Sequence, residues 1–191
     1  MASQVEELLP IALAKGCSMR IFIDHSKPED HVDHNWTENT YDGKEGSELL
    51  AIPNHWHNYH DEVMEVLSGT IKFFVGGKEI IATPANGPVL ITRGTIHGFT
   101  AIKGQQVTFT EKNIPSGDFK ARFFQDLFQA GTPGLLLAFR AFYDGDTYIA
   151  VPGGFKVVDQ IVTSFFGLLA KLFVPAKPNA VKRIADGSSV L

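Results

Sequence analysis

The stretch HWHNYHDEVMEVLSG, His55 to Gly69, holds three of the seven histidines of the chain in fifteen residues, and its reading decides the fold. His55 and His57 are separated by one residue. On a β-strand, successive side chains point to opposite faces, so both imidazoles stand on the same face. Glu62 follows a short polar segment; if the chain bends after His57, the carboxylate swings into the space that both rings face. EVMEVLS then reads as a β-type run that ends at the turn pair Ser68-Gly69.

Two neutral imidazoles and one carboxylate suit a divalent transition metal, the nitrogens satisfying a borderline ion and the carboxylate supplying charge. A fourth donor must come from elsewhere, and His97 in RGTIHGF is the only histidine downstream. The competing reading is a solvated edge strand, or neutral histidines in a core. It weakens because burying several ionisable groups on one inward face is costly without a compensating ion.

Working outward, residues 18–114 are rich in short β-type runs: SMRIFI, SELLAI, TIKFFV, KEIIAT, PVLIT, TIHGFTAI and QQVTFTEK. Glycine and proline punctuate them, and Gly76-Gly77 joins TIKFFV to KEII as a hairpin would. Many short strands at this spacing mean a sandwich or a barrel. After about Pro115 the period becomes helical. Phe119, Phe123, Phe124, Leu127 and Phe128 fall on one face, with Gly131 as a stop. A second helix is expected with Thr132 as N-cap and Pro133 in its first turn. A third sets Val158, Ile161, Val162, Phe165, Leu168, Leu169 and Leu172 at helical spacing and ends before Pro175. That apolar run is too short to span a bilayer. It is read as a face packed on the sheet or on a second subunit, against the sharper reading of a lid or an interfacial membrane contact.

Composition bounds the rest. A chain of 191 residues suits one domain, or one with a helical appendage, and 44% hydrophobic against 20% charged residues is ordinary for a globular protein. A net charge of −4 with no Lys/Arg cluster argues against nucleic acid as a partner. The single cysteine, Cys17, excludes an internal disulfide and suits a reducing compartment; it reads as a small buried hydrophobe. The N-terminus carries acids where a signal peptide needs positive charge, so a cytoplasmic location is the default.

His55, His57, Glu62 and Gly69 match H-x-H-x(3,4)-E-x6-G residue for residue, and in this the chain resembles the cupin superfamily. Gly94 and His97 meet part of that family's second motif, P-x-G-x2-H-x3-N. Thr92 stands in place of the proline, Ala101 at the asparagine position, and Leu49 where the first motif usually opens on glycine. These are turn and packing positions rather than the ligand set. The resemblance covers about residues 45–112. It implies a mainly β protein, an antiparallel jelly-roll β-barrel of the small single-domain kind, with C-terminal helices packed on it. The expected division is an N-terminal segment over 1–17, the barrel over 18–114 and a helical extension over 115–191. It also implies one divalent transition metal (iron, manganese, nickel, copper or zinc) held by His55, His57, Glu62 and His97.

Around that site His60 is a candidate general base, weighed against a solvent-exposed loop residue. Tyr59 and Trp56 are expected to pack away from the interior, and His25, His31 and His34 to lie in a solvated loop. The fifteen phenylalanines exceed what a small barrel uses, which suggests an aromatic-walled cavity with Phe73, Phe99 and Phe109 in its lining and Arg93 as an anchor for an anionic group. The expected function is a metal-dependent enzyme, a dioxygenase or an isomerase, cyclase or lyase, acting on a small aromatic, enolic or polyketide-like substrate of a tailoring pathway. The alternative is a non-catalytic metal-containing cupin that binds a small molecule. A homodimer and no membrane contact are expected.

Overall fold

The computed structural model describes residues 4–128, 131–175, 180, 181, 183 and 184. Twelve strands come in the order β1 Val5–Glu7, β2 Ile11–Ala14, β3 Cys17–Asp24, β4 Asn35–Tyr41, β5 Ala51–Trp56, β6 Asp61–Gly69, β7 Ile71–Val75, β8 Lys78–Ala82, β9 Val89–Ile91, β10 His97–Ala101, β11 Val107–Ile114 and β12 Tyr148–Ile149. The helices are α1 Phe119–Leu127, α2 Leu135–Asp144 and, after β12, α3 Lys156–Ala170. One sheet runs β1-β3-β4-β11-β6-β9, with β2 also on β3; the other runs β12-β5-β10-β7-β8. Neighbours in both are antiparallel.

The two layers are glued by the period-2 alternation of their strands. β6 buries Glu62, Met64 and Val66 and turns the residues between them outward. β11 sends Val107, Phe109 and Glu111 inward with them. One core cluster joins Met19, Ile21, Tyr41, Met64 and Val107 of the first sheet to Ile71, Phe73 and Phe99 of the second. This is an antiparallel jelly roll. Phe73, Phe99 and Phe109 meet edge to face inside it, with centroids 4.9–6.4 Å apart, the geometry that aromatic quadrupoles favour.

Two turns show why glycine is required. Gly76 and Gly77 both have positive φ and close a two-residue loop between Val75 and Lys78, as a twisted hairpin needs. Gly69, at φ 79°, lies so close to β11 that a Cβ there would sit 2.1 Å from the Gln106 carbonyl oxygen. The glycine of the first motif is thus a point of close backbone approach.

Three expectations change. Residues 5–7 and 11–14 are strands paired with β3, so part of the N-terminal segment belongs to the first sheet. The second helix starts at Leu135 with Gly134 as its N-cap, two residues later than expected, so Thr132 and Pro133 both precede it. The stripe of α3 that packs inward is not the apolar one. It is Asp159, Thr163, Gly167 and Ala170, all buried, while Ile161, Phe165, Leu168 and Leu172 are exposed. Small residues win this face because α2 crosses closely: a Cβ on Gly167 would be 2.2 Å from the Cβ of Tyr143. No helix among the described residues is long and apolar enough to cross a membrane.

Candidate metal centre

β5 and β10 pair so that His55 lies directly opposite His97. Their rings are 4.3 Å apart, centroid to centroid, with His57 5.0 Å from His55 and 5.3 Å from His97. Between His55 and His57, Trp56 at the end of β5 turns to the other face. It stacks on Tyr148 at 4.7 Å and donates its indole N–H to Asp159 at 2.9 Å, an arrangement that fixes which face the flanking imidazoles occupy. Glu62 reaches in from the opposite sheet. Its Oε1 lies 3.0 Å from His57 Nε2 and its Oε2 3.0 Å from His97 Nε2. One donor atom from each of His55, His57, Glu62 and His97 lies within 4.8 Å of all the others.

The tautomers follow from the second ring nitrogens. His55 Nδ1 faces the Pro53 carbonyl at 2.9 Å, His57 Nδ1 that of Asp146 at 2.7 Å, and His97 Nδ1 that of Thr95 at 2.9 Å. A carbonyl only accepts, so each Nδ1 carries the hydrogen and donates it, which leaves the Nε2 lone pairs free. His57 Nε2, His97 Nε2 and Glu62 Oε2 are buried without a hydrogen-bond partner. Orphaned acceptors that converge at 3.0 Å are the pattern of a cation site whose ligands are held by outer hydrogen bonds. The residues fit a divalent transition metal.

Charge agrees. Burial, with help from His97, pushes His55 down to about 3, and burial pushes His57 well below the usual histidine range; both are neutral at physiological pH, as ligands must be. Burial acts to raise the Glu62 carboxyl, but Lys120 and His57 outweigh it and hold the group well below the usual carboxylate range. Burial likewise opposes charge on His97, and the Glu62 carboxylate more than offsets that. A proton on His97 and a bound cation are two ways of neutralising the same carboxylate.

Beside the cluster lies a cavity of about 300 Å³, at the lower end of ligand-site volumes. Three of the cluster's residues, His55, His57 and Glu62, share its wall with Phe99, Phe124 and Phe142. Its aromatic lining therefore comes chiefly from the helices. Phe73 and Phe109, expected there, are fully buried core and not part of the lining. Arg93 lies outside it: its guanidinium and backbone N–H both bind Asp61, and the guanidinium holds that carboxyl below the usual range. The next residue, Gly94, donates its N–H to the His57 carbonyl at 2.6 Å. The Arg93 turn is thus a clamp between the two motifs rather than an anion anchor.

His60 is fully buried, not a solvent-exposed loop residue, and it does not line the cavity. Its ring stacks on His57 at 4.1 Å and meets Phe119 edge-on, with Nδ1 3.3 Å from Asp146 Oδ2. His57, His60 and Asp146 form a second group with metal-ligand spacing, but His57 Nδ1 is committed to the Asp146 carbonyl. Three residues of this site escaped the sequence reading. Asp146, in a left-handed conformation at φ 56°, accepts the backbone N–H groups of Asn58 and Tyr59. Lys120 extends its ammonium from α1 to within 2.8 Å of Glu62 Oε1 and 3.3 Å of Glu111 Oε1. Burial disfavours that ammonium, yet the two carboxylates raise its pKa; burial and then Glu62 push Glu111 up. The signals for two of them were present: Lys120 sits at i−3, i−4 and i−7 from Phe123, Phe124 and Leu127, and Glu111 alternates with Phe109 and Val107. His25, His31 and His34 lie in an exposed to half-buried loop.

Facing antiparallel sheets, with the first-motif residues and His97 converging between them, give this chain the jelly-roll architecture that the resemblance implies, with a His/Glu cluster able to hold a metal. No protein-family model and no curated protein matches it. Solved structures similar to it include KdgF from Halomonas sp., 17% identical over 54% of this chain and 83% of that one, TM-score 0.41. The polyketide cyclase RemF from Streptomyces resistomycificus is 24% identical over 60% and 77%, TM-score 0.40. An RmlC-like cupin from Shewanella frigidimarina is 15% identical over 61% and 88%, TM-score 0.40.

Proposed function

We propose that the protein is a metal-dependent enzyme acting on a small, flat, apolar molecule of aromatic, enolic or polyketide-like type. One observation carries this reading: orphaned histidine and carboxylate donors sit in the wall of an aromatic cavity. His55, His57, Glu62 and His97 would hold one divalent transition metal. Bound there, with positions left open by four protein ligands, it supplies Lewis acidity, or dioxygen chemistry if it is iron or copper. The chain does the rest. Phe99, Phe124 and Phe142 exclude water and stack against a flat ring system. The carbonyls of Pro53, Asp146 and Thr95 keep each Nε2 aimed inward. His60, stacked on His57 and next to Asp146, fills the space behind that ligand. Iron or copper favours oxygenation; zinc, nickel or manganese favours isomerisation, cyclisation or decarboxylation.

The test is metal content paired with turnover. Purified protein is expected to carry about one metal per chain, and to convert catechol- or enol-type compounds in a manner abolished by chelation and restored by the metal. A metal-loaded protein that returns such compounds bound but unchanged is a binding module instead.

We further propose that the protein works in the cytosol as a homodimer joined through α3. Phe155, Val157, Ile161, Phe165 and Leu172 are each more than 60% exposed, and a contiguous apolar face of this kind marks a contact surface.

A further inference from the structure

Lys120 is the most unusual side chain of the cavity. Its ammonium is buried, it lines the cavity, and it lies 5.8 Å and 5.7 Å from the ring centroids of Phe123 and Phe124. Its ammonium donates to Glu62 at 2.8 Å and forms an ion pair with Glu111 at 3.3 Å. An ammonium has three N–H donors, so one remains for a ligand. A lysine placed only to neutralise Glu111 has no need to stand in the wall of the space where a substrate fits.

Charge bookkeeping gives the ligand's sign. With a dication at the cluster, Lys120 charged, the three histidines neutral and both glutamates ionised, the site holds one positive charge in excess. If Glu111 is protonated, the excess is two. A buried, uncompensated positive charge is costly in an apolar cavity, and a monoanion reduces it in either state. Aromatic walls and a single ammonium leave no place for a polyanion or a sugar.

We propose that Lys120 is a substrate-binding residue, and that the cavity takes a planar, apolar monoanion, an enolate, phenolate or arene carboxylate, whose oxygen accepts a hydrogen bond from the Lys120 ammonium. This rests on the reading of the cavity as the substrate site. It names the ligand's charge and the residue that selects it.

The experiment uses two probes of one shape, 2-naphthoate and the neutral 2-naphthamide. Both are titrated by calorimetry into zinc-loaded and chelator-treated full-length protein, with zinc measured separately. Wild type is expected to prefer naphthoate, and Lys120→Met to weaken naphthoate by about tenfold or more while changing naphthamide less than about twofold. Lys120→Arg keeps most of the preference. The double variant Lys120→Met with Glu111→Gln removes Lys120 together with one of its two carboxylate partners and leaves Glu62 to the zinc, which guards against an unpaired Glu111 that unfolds the chain. It is expected to remain weak for naphthoate. Recovery of naphthoate affinity in the double variant shows that Lys120 only neutralises Glu111, and overturns the proposal. So do equal binding of the two probes, or no binding of either, by wild type. Failure to take up zinc, with the Lys120-dependent preference intact in the chelated protein, removes the metal reading and the charge count built on it and leaves only the assignment of Lys120 as the anion's partner; zinc uptake with naphthoate binding indifferent to Lys120 does the reverse.

Discussion

The Asp146 carbonyl oxygen accepts the Nδ1–H of His57 at 2.7 Å, tying a turn of the C-terminal extension to the edge of β5. The carboxylate of the same residue accepts the backbone N–H groups of Asn58 and Tyr59, so one aspartate holds both the tautomer of His57 and the bend that follows it. Asp146→Ala keeps that backbone carbonyl but strips the carboxylate that holds the bend, and places alanine in a left-handed position it disfavours; metal affinity is expected to fall by about tenfold, the low end for a lost outer contact. Asp146→Asn, which tolerates the left-handed backbone, loses less. Competition against a chromogenic zinc chelator measures both; unchanged affinity in the alanine variant sinks the assignment.

His55→Ala and His97→Ala are each expected to reduce metal occupancy severely, whereas His60→Ala leaves it near normal. His60 is fully buried between His57 and Phe119, so its truncation costs stability instead, about 2–4 kcal/mol for a large side chain lost from a packed site. Mass spectrometry of metal in each purified variant, with chemical denaturation of the His60 variant, separates the roles. Full occupancy in the His97 variant would mean that the fourth ligand lies elsewhere.

Metal removal is expected to lower the melting temperature. A ligand present at a hundred times its dissociation constant stabilises by about 2.7 kcal/mol, which for a chain of this size corresponds to about 5–10 °C. Calorimetry before and after chelation, with re-addition of zinc, reads the shift. An unmoved transition would show that the cluster binds no cation in the folded state.

The ligand cluster was legible because strand geometry alone forces His55 and His57 onto one face, and only one histidine, His97, lies beyond the His55–Gly69 stretch. The cavity was half legible. Its aromatic character follows from fifteen phenylalanines, but the rings that line it come largely from α1 and α2, and a strand-based reading assigns Phe73 and Phe109, which the sheets consume as core. Lys120 was hidden by the habit of reading a helix face only through its apolar members. For α3 the expectation was a face packed on the sheet or on a second subunit, and the structure removes only the first. Its apolar stripe is real, yet the close crossing at Gly167 makes the small, polar stripe the buried one. Asp146 left no signal, since it acts through a backbone carbonyl across 89 residues of sequence.

That stripe yields the prediction about assembly. Light scattering is expected to give a dimer mass, and Ile161→Glu with Phe165→Glu a monomer, because charges in the centre of an apolar contact are desolvated without a partner. Both residues are exposed, at 62% and 61%, so the chain itself keeps its fold. A wild-type monomer at micromolar concentration removes the claim.

Cys17 supplies the pH test. It is buried on β3, its thiol 3.1 Å from the Glu48 carbonyl; burial first, then the charges of Asp42 and Glu48, push the thiol up. The thiolate is the reactive form, so alkylation by iodoacetamide at pH 8 is expected to be far slower in the native protein than in denaturant. The sign for stability follows. An acid whose folded pKa is raised keeps its proton where the unfolded chain, near about 8.5, has lost it. The contribution of Cys17 is therefore fully present below that value and falls as pH rises through it. Comparing wild type with Cys17→Ala by urea denaturation at pH 7 and pH 10 isolates it: wild type is expected to lose more stability than the variant. Equal losses, or native alkylation as fast as in urea, would place the thiol in contact with solvent and undo the account of β3's inward face.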